Sequence, residues 1–260
     1  MKLAFMSSVC PKMALADLLA VGERFGYQGV EFRPEWGQAH GIELDASPAQ
    51  RKEAAQRLAD CPLEPCCLSP GVRFCSEAPA ERDAQKDLLA RFVDLAAEVG
   101  IRRIRVFGDP IPNAGCGHRA ASYRAQAECL ARSAEVAEAG GVRLVLETHG
   151  NFRAFDAGEV LFQAGYPAAL QVNWHLGHCI RHGEDVDEAY RHVKGRVGHC
   201  HFALAEDKVE RAHLERQARL LADEGFAGFF SVEVINPDDS EQVLAQHVQF
   251  WRELQTALRE

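Results

Sequence analysis

The 260-residue sequence contains no apolar run approaching the roughly 20 residues that cross a bilayer, so no membrane-spanning helix is expected. It has no basic excess. Lys and Arg number 29 against 38 Asp and Glu, a net charge of −9, and such a chain lacks the electrostatic footprint of a nucleic-acid partner. Nor is there a CxxC pair, which excludes a zinc ribbon. The nine cysteines (Cys10, Cys61, Cys66, Cys67, Cys75, Cys116, Cys129, Cys179 and Cys200) are odd in number and scattered. Reduced thiols in a cytoplasmic protein are the expectation. The chain passes from Lys2 straight into a strand pattern without signal-peptide architecture, which points the same way. No linker or low-complexity tract breaks it, so one domain is expected over 1–260. No Gly-rich turn follows the first strand, where Met6-Ser-Ser-Val-Cys-Pro11 stands, which argues against a dinucleotide-binding open sheet. No Gly-rich phosphate cradle is visible elsewhere.

What the chain does have is a repeated unit, clearest at Val142-Arg-Leu-Val-Leu-Glu-Thr-His-Gly-Asn151. A short β-branched and leucine-rich run, preceded by Gly140-Gly141, reads as a buried parallel strand. Similar runs fall at 2–6, 29–33, 64–68, 103–107, 170–174, 196–202 and 229–234. Amphipathic stretches alternate with them at 14–25, 47–59, 83–99, 122–139, 156–163, 184–193, 210–223 and from 239 to the C-terminus. The second of these opens with a Ser47 cap, Pro48 at the first helical position and Gln50 three residues after the cap. Alternating strands and helices imply a parallel sheet, and eight units in this length imply an α/β fold of the single-domain (β/α)8 TIM-barrel type.

Such barrels gather their chemistry at the C-terminal mouth. Glu147, His175, His201 and Glu233 stand at the ends of the fifth to eighth strands, which are neighbours around the ring. Two carboxylates and two imidazoles at one level form a candidate divalent-metal site, and the ligand types suit Mn, Zn, Fe or Co rather than Mg. A lone strand-end Glu or His can equally be a solvated or structural residue. It is the coincidence of four on consecutive strands that favours a site. Arg33, Arg73, Arg153 and Arg181 also follow strands and can meet either an anionic group or solvent.

At these residues the sequence resembles the sugar phosphate isomerase/epimerase family, the xylose-isomerase-like TIM barrels. The matching pieces are Gly26-Tyr-Gln-Gly-Val-Glu31, His40-Gly-Ile42, Leu146-Glu-Thr-His149, Val172-Asn-Trp-His-Leu-Gly-His178 with His182-Gly-Glu184, His199-Cys-His201 and Ser231-Val-Glu233. The resemblance implies a metal-dependent isomerase or epimerase of a sugar, keto-sugar or cyclitol. Glu147 and Glu233 would be both ligands and the acid/base pair, and His178 and His149 would meet the substrate. Glu31, at the end of the second strand, can equally meet the substrate or form a structural salt bridge. It implies a small polyhydroxy substrate and one divalent ion, and leaves a homo-oligomer open. One position departs from the family pattern: its second ligand is Asp, and His175 stands there. Two alternatives follow. The same site can act as a dehydratase of a keto-sugar or keto-inositol, or the barrel can be a metal-free binding protein. The DNA-repair endonucleases of this fold need further His ligands, and the fourth strand ends in Phe107-Gly-Asp109 instead.

Overall fold

The β-branched and apolar runs are each four to six residues long, enough to line one barrel stave. In the computed structural model, which describes residues 1–112, 117–205 and 208–259, they are β1 (Lys2–Met6), β2 (Gly29–Phe32), β3 (Glu64–Leu68), β4 (Arg103–Phe107), β5 (Arg143–Glu147), β6 (Leu170–Asn173), β7 (Val197–Phe202) and β8 (Phe229–Val232). All pair in parallel and in chain order, and β8 closes on β1 through Lys2↔Phe229 to Phe5↔Val232. The protein is a TIM barrel. The surrounding helices are α1 (Leu15–Phe25), α2 (Pro48–Asp60), α3 (Pro79–Val99), α4 (Gly117–Ala139), α5 (Ala154–Gln163), α6 (Leu176–Arg181), α7 (Val186–Val193), α8 (Arg211–Asp223) and α9 (Ser240–Ala257).

Alternation along each strand sends one set of side chains to the helices and the other to the barrel axis. The outward set, with the helix stripes, makes the main apolar core. Trp174, fully buried and stacked on Tyr190 at 6.2 Å, belongs to it. The inward set is layered. At the floor lies a small apolar cluster of Ala4, Cys66, Cys67, Val145 and Phe229. Gly29 is required there, because a Cβ at that position would come within 2.5 Å of the Phe229 ring. Above the floor the axis turns polar: Glu31, Arg105, Asn173, His199 and Ser231 are all completely buried. Barrel interiors are ordinarily filled by branched aliphatics, so this layer has another use.

Three expectations need correction. The helix expected at 184–193 is α7, which starts at Val186, and a short helix not expected from the sequence, α6, precedes it across a left-handed turn at Gly183 (φ 81°). His178 lies on α6. The helix expected from 83 begins at Pro79, which occupies the first turn where its missing N–H is harmless. The final helix ends at Ala257. Among the described residues eight cysteines are free thiols and none is disulfide-bonded; Cys116 lies outside them. No described helix is long and apolar enough to cross a membrane.

Candidate metal centre and active site

The four strand-end residues do converge. Glu147 is the last residue of β5, His201 lies within β7, and Glu233 follows β8 directly. One ligand atom from each of these three falls within 4.8 Å of the others. His175 joins through Glu233, its Nε2 lying 3.3 Å from Oε2. The backbone that carries it is pinned by Thr148, whose hydroxyl accepts from His175 N at 2.8 Å and donates to His175 O at 3.1 Å.

His201 is the hub. Its Nδ1 is 2.7 Å from Glu147 Oε1 and 3.0 Å from Glu233 Oε2, and its Nε2 is 2.8 Å from Glu31 Oε1. Burial opposes a charge on this ring, but Glu31, Glu233 and Glu147 outweigh it and hold the imidazolium well above the ordinary histidine range. Burial likewise pushes the carboxyls up. For Glu31, His201 and His199 prevail and hold it well below the usual range. Glu233 is held down against burial by His201 and His175. Glu147 is raised by burial and by Glu233, yet His201 and Arg105 bring it below its ordinary value.

Of the two roles open to Glu31, the geometry shows ion pairs with histidines: its side chain is fully buried. Its Oε2 meets His199 Nε2 at 2.9 Å, and Oε1 accepts from the Ser69 hydroxyl as well as from His201. Glu31 therefore orients the ring that faces Glu147 and Glu233. A carboxylate behind a histidine fixes its tautomer and raises its basicity as a ligand. Arg105, from the inward face of β4, supports the other side. Its Nη1 lies 3.2 Å from Glu147 Oε2, and its Nη2 donates to Ser69 O at 3.1 Å.

The mouth is completed by rings. The Arg105 guanidinium lies 3.4 Å from the Phe107 ring centre. His149 packs on Phe107 at 4.6 Å and on His178 at 4.4 Å, and His178 packs on His175 at 4.3 Å. The groups thus form a closed circuit from Arg105 back to Glu147. His149 Nδ1 is 2.8 Å from Asp109 Oδ1, and about a third of its side chain is exposed. His178 Nδ1 accepts from Gly150 N at 3.1 Å and faces Arg181 Nη2 at 2.7 Å, which leaves its proton on Nε2. Burial, together with the charges of His175, His149 and Arg181, keeps it neutral far below the normal range.

This geometry is that of a known scaffold. A family model described as the xylose isomerase-like TIM barrel matches residues 19–254. The chain belongs to that family. Among solved structures of xylose isomerase-like shape, an L-ribulose 3-epimerase is 20% identical with a TM-score of 0.79, the match covering 99% of this chain and 95% of the other. The probable 3-DHS dehydratase AsbF from Bacillus anthracis is 16% identical with a TM-score of 0.73, covering 97% and 99%. The IOLI protein with a bound zinc atom is 14% identical with a TM-score of 0.74, covering 99% and 98%. At these identities the likeness shows the fold alone. No curated protein matches the chain by sequence.

Four residues of this xylose isomerase-like mouth were not singled out from the sequence: Arg105, Asp109, His199 and Ser69. A signal existed for two of them. His199 shares the inward face of its strand with His201, and Arg105 is an ionised residue in the middle of a parallel strand, flanked by Ile104 and Val106.

The electrostatics carry a pH prediction. Without an ion, the His201 Nδ1 proton faces both carboxylates, so a cation held by Glu147, Glu233 and His201 must replace it. Because the His201 pKa is raised, the ring is charged at pH 7, and loading is expected to release about one proton per ion. As pH rises past the elevated value the released fraction falls toward zero. Calorimetric titration with Mn²⁺ or Zn²⁺ in two buffers of different ionisation enthalpy measures this, and no release at pH 7 would show a neutral ring.

Proposed function

We propose that the protein is a divalent-metal-dependent isomerase or epimerase of a polyhydroxy keto-sugar or cyclitol, with Glu147 and Glu233 as its acid/base pair. The observation that carries this is the convergence of Glu147, His201 and Glu233 on one point at the ends of β5, β7 and β8, with His175 beside them. The donor set fits a metal. Two carboxylates and two imidazoles match Mn, Zn, Fe or Co, and Glu147 Oε2 is a buried oxygen that no hydrogen bond satisfies. Glu147, His175, His201 and Glu233 would hold the ion. When bound, it supplies positive charge that polarises the substrate carbonyl.

The protein's own groups do the rest. One carboxylate takes the proton from the carbon beside the carbonyl, the C–H pair forms the C=C bond, and the carbonyl pair moves onto oxygen to give an enediolate. The other carboxyl, protonated, returns a proton to the opposite face or to the neighbouring carbon. Glu31 and Arg105 hold the two sides of this pair in place. His178, neutral and held at Nδ1 by Gly150 N–H and Arg181, would offer its Nε2–H to a substrate oxygen.

Two measurements test the reading. The purified protein is expected to carry close to one divalent ion per chain by elemental analysis, and a chelator is expected to lower its melting temperature. In D₂O, a keto-sugar substrate is expected to gain deuterium at the carbon beside its carbonyl, followed by NMR. Metal far below one equivalent, with no thermal shift on adding Mn, Zn, Fe or Co, would leave the metal-free binding protein as the better reading.

One observation favours a second reaction at the same site. Asp109 holds His149 at 2.8 Å beside the mouth, and a carboxylate-backed imidazole can protonate a leaving hydroxyl. With such a substrate the enediol would expel water, making the protein a dehydratase. The growth of conjugated-enone absorbance during turnover distinguishes this outcome from epimerisation.

A further inference from the structure

The arginines that follow the strand ends differ in what engages them. Arg153 lies 3.5 Å from Asp156, and Arg181 meets His178. Among the described residues, Arg33 and Arg73 have no acidic side chain within ion-pair distance. Arg33 lies one residue beyond β2, in register with Glu31 on the inward face. Its guanidinium sits flat over the Trp36 ring at 3.7 Å, and its Nε is buried with no hydrogen-bond partner. Arg73 lies over Phe107 at 4.8 Å and makes one long contact, Nε to Gly71 O at 3.4 Å. Phe107 also touches Arg105 and His149. Both guanidiniums therefore stand on the β2–β4 side of the mouth, where Arg33 is influenced by the charges of Arg105, Glu233 and Glu147 without pairing with a carboxylate.

The charge balance has the same sense. With a divalent ion in place and the histidines neutral, the carboxylates Glu31, Glu147, Glu233 and Asp109 offset Arg33, Arg73, Arg105 and Arg181. The ion's own positive charge is then left over. His175 contributes to this, because it stands where the family pattern has a carboxylate. A buried guanidinium nitrogen without an acceptor is costly, and the planar Arg fork is shaped for carboxylate or phosphate oxygens.

We propose that the substrate carries an anionic group, a carboxylate or a phosphate ester, which docks on Arg33 and Arg73. The carbonyl end would lie at Glu147 and Glu233, and that half alone rests on the isomerase reading. Trp36 fixes the plane of Arg33, and Phe107 seats Arg73.

The test uses three probes that share a keto-sugar skeleton: D-fructose, D-fructose 6-phosphate and 5-keto-D-gluconate. Binding is measured by calorimetry to the Mn²⁺-loaded protein and again after chelation. One anionic probe is expected to bind at least about tenfold more tightly than D-fructose, as charge-assisted bonds to arginine allow. Preference for the acid identifies a carboxylate, and preference for the phosphate identifies an ester. Arg33→Gln and Arg73→Gln are each expected to remove roughly tenfold of that preference while metal content and melting temperature stay at wild-type values. Equal or unmeasurable binding of all three probes, or an anion preference that survives both variants, overturns the proposal. Anion preference in a protein that takes up no metal would sink the isomerase reading and leave this one standing.

Discussion

Replacing Glu233 with Gln is expected to lower turnover by roughly 10³- to 10⁴-fold while the fold is retained, the upper range for loss of an acid/base group. The structure separates this variant from Glu147→Gln. Glu233 lies just past β8 with 12% of its side chain exposed, and its partners are His201 and His175. Glu147 is fully buried against Arg105 and His201. Making it neutral leaves a buried guanidinium facing an amide, and breaking a buried pair from one side costs about 3–5 kcal/mol. That is a large share of the ~5–15 kcal/mol that holds a domain together. Glu147→Gln is therefore expected to lose both turnover and several degrees of melting temperature, whereas Glu233→Gln loses turnover alone. Deuterium incorporation into substrate and thermal unfolding, measured on the same preparations, check the asymmetry. The double variant should be little slower than either single one, because the two groups act as a unit. Near wild-type exchange in Glu233→Gln would end the two-glutamate mechanism.

His175 carries the second large effect. His175→Ala is expected to weaken metal binding by at least about 100-fold, more than the 10- to 100-fold typical of losing a group behind a ligand. His175→Asp is expected to keep the ion and shift preference toward harder cations such as Mg²⁺ and Mn²⁺. The rival ligand is His178, only 4.3 Å away ring to ring. Its Nδ1 is already engaged by Gly150 N–H and Arg181, so its Nε2 bears the proton. To ligate, it would have to lose that proton or break both contacts. His175 Nε2 faces Glu233 Oε2, and an ion held by both would replace the single proton between them, as at His201. Elemental analysis after dialysis, with competition titrations for affinity, reads the series. His175→Ala holding its metal as tightly as wild type would remove His175 from the centre.

Legibility followed chain distance. Elements whose signal is local were read correctly: the strands, the Ser47–Pro48–Gln50 helix start, which forms its full capping box, and the polar residues that end β5 to β8. Strand alternation then placed Glu147, His201 and Glu233 on the inward face, and the register held because a one-residue slip would have exposed the apolar partners. The short helix α6 went unread because six residues are too few for a helical period to show.

By itself, the sequence determined an eight-stranded parallel barrel, the carboxylates and imidazoles at its mouth, and the unusual His175. Each rests on periodicity or on residue type at a strand end, which is information carried within one strand-helix unit. Only the tertiary structure decided what supports that mouth. Glu31 and His199 are 168 residues apart and Glu31 and His201 are 170 apart, and they meet only because the barrel closes and their strands point side chains at a common axis. The same closure buries Glu31 against His201 and sets Arg105 against Glu147. Among the described residues it also leaves Arg33 and Arg73 with no acidic side chain within ion-pair distance. Pairings of that kind depend on the shape of the closed ring, and no spacing along the chain encodes them.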